Sequence, residues 1–493
     1  MAASERTQLA KGVSVTFVGS VVSAALGFVL TFALARLLGE AGAGVVMQAM
    51  GVFTIVTVIG KLGLDSAALW LLPRLLIDHP AGIRGVLTFA LSLTAVVGVL
   101  LGLGIWWAAP LVWRASDEGP VGESIQSIAW AVPLGALVLV ALAVVRAFGQ
   151  VVPFVAVGSI FLPGARPLLV VAVVLAGGGA VAATVAWALP LVLALAILLL
   201  LIRAQLQKVE GAVGGLSGWL PTRGQIRRVI GFSLPRTVSA ALEQGLVWLD
   251  VLVVGLLSTA SAAGIYGAAS RFIAAGLMID VAIRVIVSPR FSALMHEGRL
   301  AELQGLYRTA AGWLVLFATP GFVILAVFAP AALSLLGSGF TEGATALMVL
   351  CLGVSLTFMA GNIHSLLLMS GHSGWAAVNK AVALFIMVVG NLALVPALGI
   401  IGAAIAWASA MLVDAGLAVW QVKKLVGVQP ELRITGSRLL VAAVATGVPA
   451  VIVRLTAGEG VIAMLGAAAC AGAVFVAVCF LYRDRLDLAG LRA

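Results

Sequence analysis

The chain has 493 residues, 62% of them hydrophobic and only 10% charged, with 57 glycines and a formal net charge of +10. A soluble domain carries roughly 25% charged residues, so a water-soluble globule of this composition is excluded and lipid is the fitting solvent. The positive charge does not gather into a groove-sized patch, which sets nucleic acid aside as a partner. Cys351, Cys470 and Cys479 each lie in apolar runs without a CxxC, which sets aside a disulfide or metal framework.

The opening residues, MAASERTQLAKG, carry an acid and lead into an apolar run too long for a signal-peptide core, so an uncleaved first span is expected. A membrane-crossing helix needs roughly 20 mainly apolar residues. Runs of that kind are predicted near 12–36, 42–62, 84–109, 125–147, 152–176 and 180–203, then near 228–256, 262–288, 310–333, 345–370, 374–396 and 399–425, and finally near 438–456 and 460–482. The fold class expected is therefore an all-α integral membrane protein with about 14 transmembrane helices. The weakest separations are at Gly177-Gly178-Gly179 and near Gly399.

Lysine and arginine occupy alternate gaps between these runs. The excess of basic residues on cytoplasmic loops places the N-terminus, the 204–227 and 289–309 segments and a tail with Arg483, Arg485 and Arg492 inside. Arg36, Arg114 and Arg454 remain outside, and both termini are expected in the cytoplasm. The predicted organisation is an N-terminal six-helix lobe (1–203), a cytoplasmic linker (204–227), a C-terminal six-helix lobe (228–425) and a final segment (426–493) with two more spans. VSAAL at 22–26 recurs at 238–242, and AGAGVV at 41–46 echoes SAAGIY at 261–266, which suits two related halves with a substrate site between them. In 289–309, Phe291, Leu294, Met295, Leu303 and Leu306 fall near helical spacing, the pattern of a helix on the inner membrane surface or of a plain connector. The longest outer loop, near 110–124 with Asp117, Glu118 and Glu123, leaves no room for an extramembrane catalytic domain.

Charged groups inside spans are costly and face a cavity or a partner. Arg236, Glu243 and Asp250 in the seventh span recur every seven residues, near two full turns, and so share a stripe about 21 Å long. One reading is a hydrophilic lumen in which Arg236 attracts an anionic group and Glu243 or Asp250 binds a coupling proton or sodium ion. The other is a set of interhelical pairs. In the fifth span Arg166 stands between Pro163 and Pro167, which are expected to break the helix and free carbonyls toward a cavity or a protein partner. Arg271, and Arg36 where it does not merely snorkel, are further lumen candidates. Asn362, His364 and Asn379, with Ser365, Lys380 and Asn391 nearby, form a polar lining able to hydrogen-bond sugars. Asp280–Arg284 and Lys61–Asp65 have i,i+4 spacing and read as mutually neutralised pairs. Asp414 has no evident partner and is a third ion-coupling candidate. There is no GxxxxGK[ST], HExxH or GxSxG. No catalytic residue, enzyme activity or cofactor is expected, and the energy would come from a proton or sodium gradient, the membrane potential or the substrate gradient.

The stretches ALARLLGEAGAGVV (33–46), LGLDSAALWLLPRL (62–75), FSLPRTVSAALEQGLVWLDVLVVGLL (232–257), AAGIYGAASRF (262–272), SPRFSAL (288–294) and NLALVPALGIIGAAIA (391–406) resemble, in order, segments of the polysaccharide biosynthesis and oligosaccharide flippase family. That family lies in the multidrug/oligosaccharidyl-lipid/polysaccharide exporter superfamily. The resemblance implies two six-helix lobes in a V shape plus two C-terminal helices. It also implies a cationic lumen, carried here by Arg236 and by Arg36, Arg166 and Arg271; Glu243 and Asp250 depart from a purely cationic face. The function implied is flipping of undecaprenyl-pyrophosphate-linked oligosaccharide across the bacterial cytoplasmic (inner) membrane by alternating access. The glycans would be polysaccharide, lipopolysaccharide or O-antigen-type repeat units. The partners implied are the lipid-linked glycan, membrane lipids and other polysaccharide assembly proteins. The rival readings are a lipid II flippase, a multidrug or ion antiporter of the same superfamily, and a multispan glycan polymerase or ligase, which would need a large outer loop.

Overall fold

The structure, a computed structural model, describes residues 2–113, 120–216 and 218–482; Arg114, Asp117, Glu118, Arg483, Arg485 and Arg492 lie outside the described residues. In chain order the helices are α1 (Ala2–Gly60), α2 (Leu64–Asp78), α3 (Ile83–Val112), α4 (Val121–Ser127), α5 (Val132–Ala147), α6 (Val151–Val155), α7 (Leu162–Leu175), α8 (Ala180–Ala188), α9 (Pro190–Val213) and α10 (Arg223–Leu257). They continue as α11 (Ala260–Gly276), α12 (Met278–His296), α13 (Leu300–Val327), α14 (Ala329–Ser334), α15 (Ala344–Thr357), α16 (Ile363–Met369), α17 (Ser373–Leu425), α18 (Leu432–Ala457) and α19 (Val461–Leu481).

Among the described residues, twelve helical segments are long and apolar enough to cross a membrane. Two of them are too long for one crossing. At 1.5 Å per residue α17 would measure about 80 Å, against roughly 30 Å of hydrocarbon. Each is broken by a glycine in the left-handed region, Gly39 (φ 68°) in α1 and Gly399 (φ 56°) in α17. A side chain disfavours that backbone, and glycine does not. The α17 arms fold back on each other, because Asn379 bonds Gln421, Lys380 bonds Asp414, and a Cβ on Gly390 would meet the Ala406 Cβ at 2.8 Å. Each of these pairs is nearly symmetric about residue 398. Counting both arms of α1 and α17 separately, the described residues hold about fourteen such segments.

The chain divides into two compact units, 1–252 with 259–261, and 253–258 with 262–493. In the first unit α5 is central, lying against α1, α2, α3 and α9. Close approach there depends on missing side chains. A Cβ on Gly98 of α3 would sit 2.6 Å from the Pro133 Cα, and one on Gly102 would sit 2.7 Å from the Ala129 carbonyl. Helices in lipid gain no hydrophobic drive from one another, so small residues that permit such packing hold the bundle. Leu100, Leu103, Trp107 and Leu168 are exposed, as expected of a surface solvated by lipid.

In the second unit α13 packs on α12, α15 and α18, and α18 packs on α19. The 289–309 segment is no surface helix. α12 runs on to His296, the chain turns at Gly298 (φ 70°), and α13 begins at Leu300. Phe291 and Leu303 are fully buried, with Leu294, Met295 and Leu306 against the same core. The apolar stripe read from the sequence thus faces protein, because two helix ends converge there. The turn keeps its polar edge outward. Arg299 bonds Glu302 at 2.6 Å and Glu297 at 2.7 Å, and these bonds push its pKa above the usual arginine value.

Candidate functional site

The segment between α6 and α7 carries the disturbance that Pro163 and Pro167 predict, but not where the prolines stand. Residues Ala156–Phe161 form a π turn, after which α7 runs unbroken to Leu175. Pro163 follows the π turn directly in a continuous helix, and its ring crowds the carbonyl four residues back, that of Ser159, inside the turn. Single π turns concentrate at functional sites. This one leads into Leu162, Pro163 and Arg166, which wall a cavity of about 420 Å³ within the first unit.

Both arms of α1 contribute to the cavity, Ser23 from one and Phe53, Thr54 and Thr57 from the other; Lys61 follows, and Trp187 and Gln244 complete its polar and aromatic wall. No Asp or Glu lines it. Lys61 arrives through a turn with left-handed backbone at Leu62 (φ 50°) and Gly63 (φ 63°), and its Nζ is 2.7 Å from Asp65 Oδ2. Arg166 has no ion pair among the described residues. Its guanidinium lies 4.1 Å from the centre of the Trp187 ring, and Trp187 in turn meets Phe53 edge-on at 5.2 Å. A cation over the face of a buried indole is held by the ring quadrupole, which leaves the guanidinium N–H groups uncommitted. Arg166 Nε, Trp187 Nε1 and Thr57 Oγ1 are buried and lack a hydrogen-bond partner among the described residues. Two of these are donors only and the third can donate. Unsatisfied buried donors beside an acid-free wall are suited to an anion.

The seventh-span stripe splits by environment. On α10, Arg236 and Glu243 are exposed while Asp250 is buried and accepts the Val251 N–H at 2.7 Å. Arg236 lies 6.0 Å from the Phe232 ring, and Phe232 stacks on Trp70 at 4.7 Å. Gln244, which faces the cavity, was not legible as a site residue. Arg36 is exposed, 5.6 Å from the Phe32 ring; Arg271, in the second unit, is half-buried.

The second unit gathers a different group. Asn362, just before α16, donates to Asp280 Oδ1 at 2.7 Å, and Arg284 reaches Asp280 Oδ2 at 3.2 Å. His364 Nε2 lies 3.2 Å from Asp414 Oδ2, and Lys380 Nζ lies 2.6 Å from the same oxygen. Asp414, which looks partnerless along the chain, therefore has two partners across the α17 hairpin and α16. Asn379 is no open lining: it exchanges two 2.7 Å bonds with Gln421. His364 Nδ1, Asn362 Oδ1 and Asp414 Oδ1 remain buried without partners among the described residues. The described residues contain no group of His, Cys, Asp and Glu able to hold a metal ion.

Broken apolar hairpins, short connections and two buried polar centres define a multi-pass membrane protein built like a transporter. The sequence profile of the family described as "Polysaccharide biosynthesis protein" matches residues 9–295, more than half of the chain, and the chain belongs to that family. A curated relative, the "Probable flippase AglR" of Haloferax volcanii, is 26% identical over 201 residues, which is 40% of this chain and less than half (42%) of the relative. Among solved structures, the lipid II flippase MurJ in an inward closed conformation matches with a TM-score of 0.74 at 14% identity, over 95% of this chain and 99% of its own. An inward-facing MATE-family multidrug resistance transporter of the MOP superfamily matches with 0.67 at 15% identity, over 82% and 95%. A MOP superfamily transporter from Pyrococcus furiosus, whose binding pocket is described as having reverse polarity, matches with 0.60 at 15%, over 85% and 96%. The chain shares its fold with these three proteins.

Proposed function

We propose that the protein flips undecaprenyl-pyrophosphate-linked oligosaccharide, a polysaccharide, lipopolysaccharide or O-antigen-type repeat unit, across the cytoplasmic membrane by alternating access. The observation that carries this reading is the cavity of the first unit, lined by no Asp or Glu among the described residues, with Arg166 in no ion pair among them and three buried polar atoms of its lining residues, Arg166 Nε, Trp187 Nε1 and Thr57 Oγ1, left without partners. A pyrophosphate offers acceptors and negative charge, and charge-assisted hydrogen bonds to it are the strong ones. A sugar cannot cross hydrocarbon unaided, since its hydroxyls would lose their partners. In this reading Arg166, with Lys61 beside it, receives the phosphates, while Trp187 and Phe53 give the first sugar a flat surface. The polyprenyl tail stays in lipid. Arg236 and Arg36, both exposed, draw the anionic headgroup toward the protein.

Replacing Arg166 with Ala is expected to reduce export of the lipid-linked glycan in cells at unchanged protein level. Undiminished export would remove the cavity from the mechanism. The readout is the glycan that accumulates on the inner leaflet, which also names the substrate.

A second reading has a specific support. The MurJ fold covers 95% of this chain whereas the MATE-family folds cover 82% to 85%, as expected where a final helix pair has no counterpart in the latter. That favours a lipid-linked saccharide over a drug and keeps lipid II as the alternative substrate. Lethality of deletion, with arrest of wall growth, would select lipid II.

A further inference from the structure

We propose that His364 Nδ1 is a proton-binding site in the second unit, and that Lys380 is its built-in competitor for Asp414. The argument begins with the ring tautomer. A carboxylate accepts and does not donate, so a neutral imidazole with Nε2 3.2 Å from Asp414 Oδ2 carries its hydrogen on Nε2. Nδ1 then presents a lone pair. That nitrogen is buried and has no donor among the described residues. The two other unpartnered polar atoms of the cluster, Asn362 Oδ1 and Asp414 Oδ1, are also acceptors. Asn362 and Asp414 are themselves 4% and 3% exposed. The site lacks positive hydrogen, not electron pairs.

The charged groups facing His364 come from both helices packed on α16. α12 contributes Asp280 and Arg284; the two arms of α17 contribute Lys380 and Asp414. With the ring neutral these four sum to zero charge. A proton taken from water onto Nδ1 makes an imidazolium and leaves the cluster with one positive charge in excess. The imidazolium and the Lys380 ammonium then contend for one oxygen, Asp414 Oδ2, while Oδ1 of the same carboxylate stands ready to accept whichever is displaced. Lys380–Asp414 ties one α17 arm to the other, and His364–Asp414 ties α16 to the second arm. Proton arrival therefore weights Asp414 Oδ2 toward the bond between α16 and the second arm, while Oδ1 keeps the displaced group on the same carboxylate. A sodium ion fits less well, because an ammonium at 2.6 Å already fills the cation's place on Asp414.

That this site drives transport rests on the flippase reading above; that it binds a proton does not. The test uses the full chain in lipid nanodiscs with ¹⁵N-labelled histidine. There are four histidines, and H364Q assigns the ring by loss of its signals. The expected result is a neutral ring with hydrogen on Nε2 that gains a second hydrogen, on Nδ1, as the sample is acidified. K380M should move that midpoint up by about one pH unit, a tenfold gain in proton affinity, since a neighbouring cation is gone. Hydrogen on Nδ1 in the neutral ring would overturn the proposal, as would a midpoint unmoved by K380M. A spectrum that answers to sodium chloride but not choline chloride at fixed pH would also overturn it. The tautomer and the sodium comparison need no variant and decide the matter even if K380M does not fold. Glycan export that is indifferent to H364Q while the wild-type ring titrates as expected would refute the coupling alone. A chain that moves no lipid-linked glycan would refute the flippase reading and leave the proton site standing.

Discussion

Around Arg166 in the first unit the buried atoms without partners among the described residues are Arg166 Nε and Trp187 Nε1, both donors, and the Thr57 hydroxyl, while the acid paired with Lys61 leaves an acceptor, Asp65 Oδ1; around Asp414 in the second unit they are acceptors, His364 Nδ1, Asn362 Oδ1 and Asp414 Oδ1. The two groups also differ in how charge is held. Arg166 is spread over an indole face with no acid near it, whereas Lys380 is committed to a carboxylate at 2.6 Å. A buried group left unsatisfied costs about as much as the hydrogen bond it fails to make, so each unit keeps a defect that something mobile can mend. The mending species must be opposite in kind: an acceptor-rich anion in one and a proton in the other. In the reading proposed above, one fold thus separates the site that would hold cargo from the site that would take up a proton.

The contrast can be broken by substitution, starting where the effect is greatest. Lys380→Met removes the cation from a nearly buried carboxylate and is expected to lower stability by about 3 kcal/mol, read as a fall in melting temperature in nanodiscs. The double variant K380M/D414N should recover much of it, and failure to recover would mean that Lys380 supports the hairpin in some other way. Arg166→Ala should weaken binding of pyrophosphate to the first unit about ten- to a hundredfold, the worth of a charge-assisted bond, with R166K in between because it keeps the charge and loses the planar stack. Calorimetry with inorganic pyrophosphate measures this directly, and equal affinity for wild type and R166A would erase the distinction between the units. Gln421→Leu strands the Asn379 amide in a buried site and should cost about 2 kcal/mol, although Asn379 touches neither cation. Trp187→Phe keeps the ring under Arg166 but deletes one donor, for a loss of about threefold to tenfold in pyrophosphate affinity. Arg299→Ala, at the exposed turn between α12 and α13, should change neither melting temperature nor binding.

Most of the fold was legible because the lipid imposes it. Apolar runs of the right length marked the crossings, and Gly399 marked a break that no loop announces. The irregular helix around Arg166 was legible too, though not its form: the prolines signalled a break, and the irregularity is a π turn five to ten residues upstream of Arg166. What stayed hidden were pairings between spans. Asp414 looked alone because Lys380 stands 34 residues away. Reflecting positions about Gly399 brings the two within a helical turn of each other, which was the available signal. Thr57, Trp187 and Gln244 carried none, since a lone hydroxyl, indole or amide in an apolar run does not say which side it faces. The Arg236, Glu243 and Asp250 stripe shows the same limit. Heptad spacing aligned the three along α10 but did not tell that the first two are exposed and the third buried.

The glycine break in α17 has a mechanical consequence. The arms meet through one residue rather than a loop, so the angular phase of one arm is fixed against the other with no slack to absorb an error. A single extra residue beside Gly399 would turn the following arm by about 100°. Asp414 and Gln421 would both swing away from Lys380 and Asn379, three bonds lost from an edit about 20 Å or more distant along the axis. The tip of this hairpin, with no chemistry of its own, is thus intolerant of a change in length.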